Sequence, residues 1–172
     1  MTRHLALILA TALTVAAAAC SSGPADGASA AGGGAAATTA PTAPVHDGRP
    51  IHITANDKMK FDVTEITAAP GERLSVTLTN VGTTPKLSMG HNWILLVPGT
   101  ELVSFAVAAA EAAATDFVPQ GDARMLAATR LLGPGESDTV TFNAPATPGR
   151  YEFICSFPGH YQVGMRGVLI VG

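Results

Sequence analysis

From Arg49 onward the chain is built of short β-branched and aromatic runs separated by turn residues. IHITA, FDVTEITA, RLSVTLTNV, NWILLV, RMLAATRLL, DTVTFNA, YEFICSF and GVLIVG are eight strand candidates, divided by PGE, NVGTTP, GPGE and ATPG. In RLSVTLTNV, Leu74, Val76 and Leu78 fall on one face and Ser75, Thr77 and Thr79 on the other, so the first set is expected to face a core and the second water. Eight such strands over about 120 residues predict an all-β, two-sheet antiparallel sandwich. Residues 101–117, ELVSFAVAAAEAAATDF, break this texture. Leu102, Phe105, Ala106 and Ala109 recur at helical spacing, and Glu101 sits where a helix N-terminus favours negative charge. A single external α-helix with a structural role is expected there.

The first 48 residues have neither period. MTRHLALILATALTVAAAA carries Arg3 and His4, then an apolar run through Val15, then small residues directly before Cys20, which is the layout of an export signal. The run is short for a permanent membrane span. Residues 1–19 resemble a bacterial lipoprotein signal peptide, with Ala17 at a position where such signals usually carry a larger aliphatic residue. Cys20 is then the expected lipidation site. Residues 20–48 are dominated by Ala, Gly, Ser, Thr and Pro, and Val45 is their one large apolar side chain. Such a segment cannot bury enough surface to offset its ordering entropy, so a disordered tether is expected, with a reach on the order of 30 Å. Residues 49–172 form the expected folded domain. The expected location is the extracytoplasmic face of a bacterial membrane or the periplasm, with a lipid anchor at Cys20.

Composition alters this picture in two places. The 172-residue chain has a formal charge of −3, and loss of the first nineteen residues removes Arg3 and no acidic residue, leaving −4. No basic block appears, so nucleic acid is excluded as a partner. There are two cysteines, Cys20 and Cys155. If Cys20 carries lipid, Cys155 stands alone in an oxidising compartment, where an unprotected thiol would be oxidised or cross-linked. Metal ligation is one reason to keep it.

The segment YEFICSFPGHYQVGMRG, residues 151–167, supplies that reason. Cys155 closes a strand candidate, and the tight Ser156-Phe157-Pro158-Gly159 loop returns the chain so that His160 can face the same point. Met165 comes next, with Gly164 before it to let the chain turn again. A thiolate, an imidazole and a thioether together suit copper and make calcium or magnesium poor candidates. A further ligand is available in MGHNW, where His91 opens a strand candidate far upstream. His91, Cys155 and His160 would then form a trigonal plane, with Met165 as a weak axial donor. His46, in the tether, and His52, in the first strand candidate, are expected to be solvent-exposed without a special role.

PKLSMGHNWILL (85–96), TRLLGPGESDTVTF (129–142) and YEFICSFPGHYQVGMRGVLIV (151–171) are similar, in this order, to segments of the azurin and auracyanin branch of the cupredoxins. Looser similarity runs over residues 50–172. The resemblance implies a cupredoxin-like Greek-key β-sandwich of about eight strands binding one copper ion that cycles between Cu(I) and Cu(II). It implies His91, Cys155, His160 and Met165 as metal ligands, with the Gly90 carbonyl as a possible donor opposite the methionine. It also implies that Asn92 bonds the loop and the Cys155 sulfur, and that the Phe157 N–H reaches the same sulfur. Pro158 has no N–H, which removes one donor to the thiolate. Trp93, Phe153 and Phe157 are expected to keep water out. The chain departs from azurin in having one more residue between His160 and Met165, which makes Gln162 a rival axial donor, and in lacking azurin's disulfide near the N-terminus.

The expected function is one-electron transfer between redox proteins of the cell envelope, which dock briefly on an apolar patch of Leu87, Met89 and Pro158 around His160. No small-molecule substrate is expected. The alternative is a copper storage or delivery lipoprotein, although the mature chain's methionines, Met59, Met89, Met125 and Met165, are scattered. An enzyme is not expected: the chain has no His-x-His pair for a second metal, one cysteine in the loop, and no nucleophile elbow.

Overall fold

The computed structural model describes residues 47–172. The expectations for residues 1–46, including the signal, Cys20, His46 and most of the tether, lie outside the described residues. Nine strands form two sheets: β1 (Arg49–Asn56), β2 (Lys60–Phe61), β3 (Glu65–Ala68), β4 (Arg73–Asn80), β5 (Ile94–Leu96), β6 (Met125–Ala128), β7 (Ser137–Asn143), β8 (Gly149–Ile154) and β9 (Arg166–Val171). One sheet has the order β2-β1-β4-β7 and the other β3-β9-β8-β5-β6. The alternation in β4 becomes burial, with Leu74, Val76 and Leu78 fully enclosed and packed in one core with Ile51 and Ile53 of β1. The opposite face of β4 is less wet than expected. Ser75, Thr77 and Thr79 form a hydroxyl ladder with Thr141, Thr139 and Ser137 of β7, at 3.2, 2.8 and 2.8 Å, and Ser75 is buried.

Two features differ from the expected antiparallel arrangement. FDVTEITA is not one strand: Phe61 ends β2 against β1, and Glu65 begins β3 against Val168 of β9 in the other sheet. Asp62 is tied to β1, its carboxylate accepting the Thr54 N–H and its own N–H donating to the Thr54 carbonyl, and beyond it the chain crosses to the second sheet. That crossing makes β1 and β4 parallel, because the chain between them has passed through the opposite layer. β3 and β9 are parallel as well.

The expected helix is shorter than its alanine pattern. Two helices are described, α1 (Lys86–Met89), which the sequence pattern does not predict, and α2 (Leu102–Glu111), continued by a 3-10 turn at Ala113–Thr115. Glu101 caps α2, its carboxylate accepting from the N–H groups of Val103 at 3.1 Å and Ser104 at 2.7 Å. Phe105 and Ala109 face inward and join Ile94, Leu96, Val118 and Ile154 in a second core outside the five-stranded sheet. This explains why β5 is buried on both faces. Burying a side chain like Phe105 contributes roughly 2–3 kcal/mol.

Arg124 secures α2 to the chain before β6. Its guanidinium lies 5.1 Å from the Phe105 ring centroid, donates to Ser104 Oγ at 3.0 Å and pairs with Asp122. Hydrogen bonds from Arg124 pull the Asp122 carboxyl down from 3.8 to about 2. Because the folded value lies below the unfolded one, the pair stabilises the fold above the unfolded value, and the contribution is lost as pH falls through the folded value. Asp122→Asn is therefore expected to cost about 0.5–1 kcal/mol in urea titrations at neutral pH and almost nothing near pH 2. A difference independent of pH would contradict the assignment.

Candidate metal centre

His91 lies where the sheet ladder is interrupted. It forms a single bridge with Leu132, donating its N–H at 3.1 Å and accepting at 2.8 Å, before regular pairing begins at Ile94. Gly90 sets its entry: a Cβ there would lie 2.6 Å from the Lys86 carbonyl oxygen and 2.8 Å from the Leu131 side chain. The His91 ring is fully buried, and neither ring nitrogen has a hydrogen-bond partner. Burial lowers its pKa, opposed by the Asp57 charge and by the Asn56 carbonyl, which is near the ring but outside hydrogen-bond geometry. Two unpartnered nitrogens on one buried imidazole are costly unless a cation uses one of them.

Cys155 is the first residue beyond β8, and Met165 the last before β9. The Cys155 N–H donates to the Met165 carbonyl at 3.1 Å, and the Met165 N–H donates to the His160 carbonyl at 3.0 Å. The loop between them turns at Gly159 and Gly164, both with φ of 89°, a left-handed conformation that glycine adopts without strain. Cys155 and Met165 have no exposed surface, and His160 is 3% exposed. The Cys155 sulfur is 3.4 Å from His160 Nδ1, and the two histidine ring centroids are 5.0 Å apart. The donor atoms of His91, Cys155 and His160 all lie within 4.8 Å of one another. Gln162, the rival axial donor, is exposed beside α2, whereas Met165 is enclosed with Cys155 in the sandwich core.

Burial pushes the Cys155 thiol up to about 12, against the backbone N–H groups of Asn92 and Phe157, which act on the sulfur in the opposite direction. Burial, reinforced by the His91 ring, takes His160 down to about 4. Both imidazoles are therefore neutral at pH 7, with lone pairs free to bind a metal. These residues fit copper: one soft sulfur and two neutral nitrogens converge in a dry pocket, with a thioether enclosed beside them.

Asn92 and Ser156 brace the pocket. The Ser156 N–H donates to Asn92 Oδ1 at 2.8 Å, and Asn92 Nδ2 donates to Ser156 Oγ at 2.8 Å. The Ser156 hydroxyl is then free to donate to the Phe117 carbonyl at 2.6 Å. Phe157, half-buried, lies between the Phe117 ring at 5.1 Å and the His160 ring at 4.7 Å. Trp93 packs in the core against Phe153 and Phe142. Leu87, at 90% exposure, Pro158, exposed, and Met89, half-buried, are the expected docking residues. Sequence reasoning missed Ser156 and Phe117; a hydroxyl directly after the cysteine was a usable signal for the first, and none existed for the second. A cavity of about 650 Å³ opens along β6, lined in part by Thr115, Asp122, Leu126 and Arg130, and none of His91, Cys155, His160 or Met165 lines it.

Comparison with known proteins gives a consistent result. A family model described as copper binding proteins, plastocyanin/azurin family, matches residues 50–172. Azurin from Pseudomonas chlororaphis is 37% identical over 125 residues, covering 70% of this chain and 96% of azurin. Outer membrane protein H.8 from Neisseria gonorrhoeae is 36% identical over 110 residues, covering 63% of this chain and 60% of H.8. The structure of dithionite-reduced auracyanin from Roseiflexus castenholzii matches with a TM-score of 0.65 and 36% identity, covering 72% of this chain and 96% of auracyanin.

Proposed function

The chain belongs to the plastocyanin/azurin family of copper-binding proteins, and from that premise we propose that His91, Cys155 and His160 would hold its copper ion, with the Met165 thioether as a further donor. The protein is a blue copper electron-transfer protein with one copper ion as cofactor. When bound, copper supplies a one-electron couple between its cuprous and cupric states.

The chain's own residues make that couple usable. Cys155 provides the thiolate, and burial keeps both imidazoles unprotonated. Trp93, Phe153 and half-buried Phe157 exclude water, while the Asn92–Ser156 pair holds the cysteine loop in place. A pocket held this firmly has little room to rearrange as charge changes. The observation that carries this reading is the meeting of three donor atoms within 4.8 Å around a buried His91 ring with no other partner. No observation favours storage or delivery, and the role is that of a carrier, not an enzyme.

His160 is 3% exposed and directly follows the exposed Pro158 and Gly159, and electrons enter and leave across this edge of the loop. Donor and acceptor are redox proteins of the cell envelope, which dock on Leu87, Met89 and Pro158 through a small, short-lived interface. Residues 1–19 act as a lipoprotein signal, Cys20 carries the lipid, and residues 20–48 tether the domain formed by residues 49–172. The likeness to an outer membrane protein supports this placement. Among the described residues, no helix is long and apolar enough to cross a membrane.

Voltammetry of the copper-loaded protein tests the carrier role. One copper per chain and a single reversible one-electron wave are expected. An irreversible wave, or copper lost on reduction, would overturn it.

A further inference from the structure

We propose that the left-handed turn at Asp116 and Phe117, just beyond α2 and its 3-10 turn, is a clamp that positions the two ligand-bearing segments of the copper site against each other. The inference rests on the copper reading of the site. It gives the connection between β5 and β6 a role beyond covering the sheet.

The backbone is the first indication. Asp116 and Phe117 both have φ of 59°, and neither is glycine. A helix is commonly ended by one left-handed residue, usually glycine, so two in succession, the second a bulky aromatic, cost more than termination requires. Such a conformation persists only where its surroundings hold it.

Those surroundings are the metal centre. The Phe117 carbonyl accepts from Ser156 Oγ at 2.6 Å, and the Asp116 carbonyl lies 3.4 Å from Asn92 Nδ2 as a long, weak bond. The turn thus presents two successive carbonyls to the side-chain pair that joins the His91 segment to the Cys155 segment. The Asp116 carboxylate pairs at 3.5 Å with Lys86 of α1, the helix that leads into Gly90 and His91. The Phe117 ring meets the Phe157 ring edge-on at 67°, and Phe157 lies on the His160 ring. Two adjacent residues therefore touch supports of all three expected in-plane ligands without contributing a donor of their own. They are positioning residues.

Phe117→Asn is the informative variant, because asparagine tolerates the left-handed conformation and replaces the ring with a small carboxamide that cannot pack on Phe157. In the metal-free full chain, the amides of Ser156 and His160, bonded to Asn92 Oδ1 and the Phe157 carbonyl, should exchange roughly three- to tenfold faster than in the parent, with amides of β1 and β4 unchanged. The copper-loaded variant should keep one copper but show altered relative intensities of its visible bands. Unchanged exchange at both amides, or an equal rise throughout both sheets, would overturn the clamp. If Phe117→Asn does not fold, Ser156→Ala removes the hydroxyl that joins Asn92 Nδ2 to the Phe117 carbonyl and is read at the His160 amide with the same two outcomes. A parent protein without a thiolate-to-copper band would defeat the copper assignment while leaving the exchange result to decide the clamp.

Discussion

Cys155→Ala is expected to abolish the intense visible absorption of the copper-loaded protein while leaving its fold intact. The band requires a thiolate bound to copper, and among the described residues Cys155 is the only cysteine. Its structural contribution is small by comparison. The backbone N–H still donates to the Met165 carbonyl, and the lost sulfur leaves a small space in the core, costing about 1–2 kcal/mol. Cys155→Ser is a poorer test, since it leaves a hydroxyl in a pocket without exposed surface and substitutes a hard oxygen for a soft sulfur. Circular dichroism beside the absorption spectrum separates loss of the site from loss of the fold. A strong visible band surviving in a folded Cys155→Ala protein would remove the thiolate from the account.

The largest effect on stability is expected at Gly167, away from the ligands. Gly167 lies opposite Phe153 in the β8–β9 ladder. A Cβ at this position would collide with the Phe153 ring edge and sit 2.5 Å from the Thr64 carbonyl oxygen. Neither neighbour can yield easily. Phe153 is fully buried, with its ring 5.4 Å from Trp93 and 5.8 Å from Phe61, and the Thr64 carbonyl accepts the Val168 N–H where β3 joins β9. Gly167→Ala is therefore expected to destabilise the domain by about 2–4 kcal/mol, on the order of 10 °C in melting temperature. A melt within about 2 °C of the parent would mean that this floor of the core is looser than its contacts indicate.

The two segments of the metal centre are legible to different degrees. Cys155, His160 and Met165 share one loop with glycines at its turns, so local spacing and donor chemistry suffice to mark it as a copper site. His91 is distant in the chain and can be paired with the loop only through its Gly-His-Asn setting and the family resemblance. The alternation of Leu74, Val76 and Leu78 names an inner face, as a period of two must. That period cannot say which neighbour a strand takes, so FDVTEITA reads as one strand although Asp62 divides it between two sheets. The parallel pairing of β1 with β4 is hidden for the same reason.

Alanine-rich residues 101–117 carry helical propensity through Ala114, yet α2 stops at Glu111. The chain beyond it is shaped by contacts with Ser156, Asn92 and Phe157, which lie elsewhere in the sequence. Propensity describes a segment by itself, and here tertiary contacts override it. Ser156 escapes notice for a similar reason. A serine after a cysteine looks ordinary until Asn92 and Phe117 are brought to either side of it.

Side chains from two separate stretches are expected to meet at one copper ion. An anomalous-difference map at the copper absorption edge, from crystals of the copper-loaded protein, locates that ion. A single strong peak is predicted within bonding reach of the His91 ring, the Cys155 sulfur and His160 Nδ1, with the Met165 sulfur on one side of their plane. A peak bonded elsewhere, or one that the His91 ring does not reach, would contradict it.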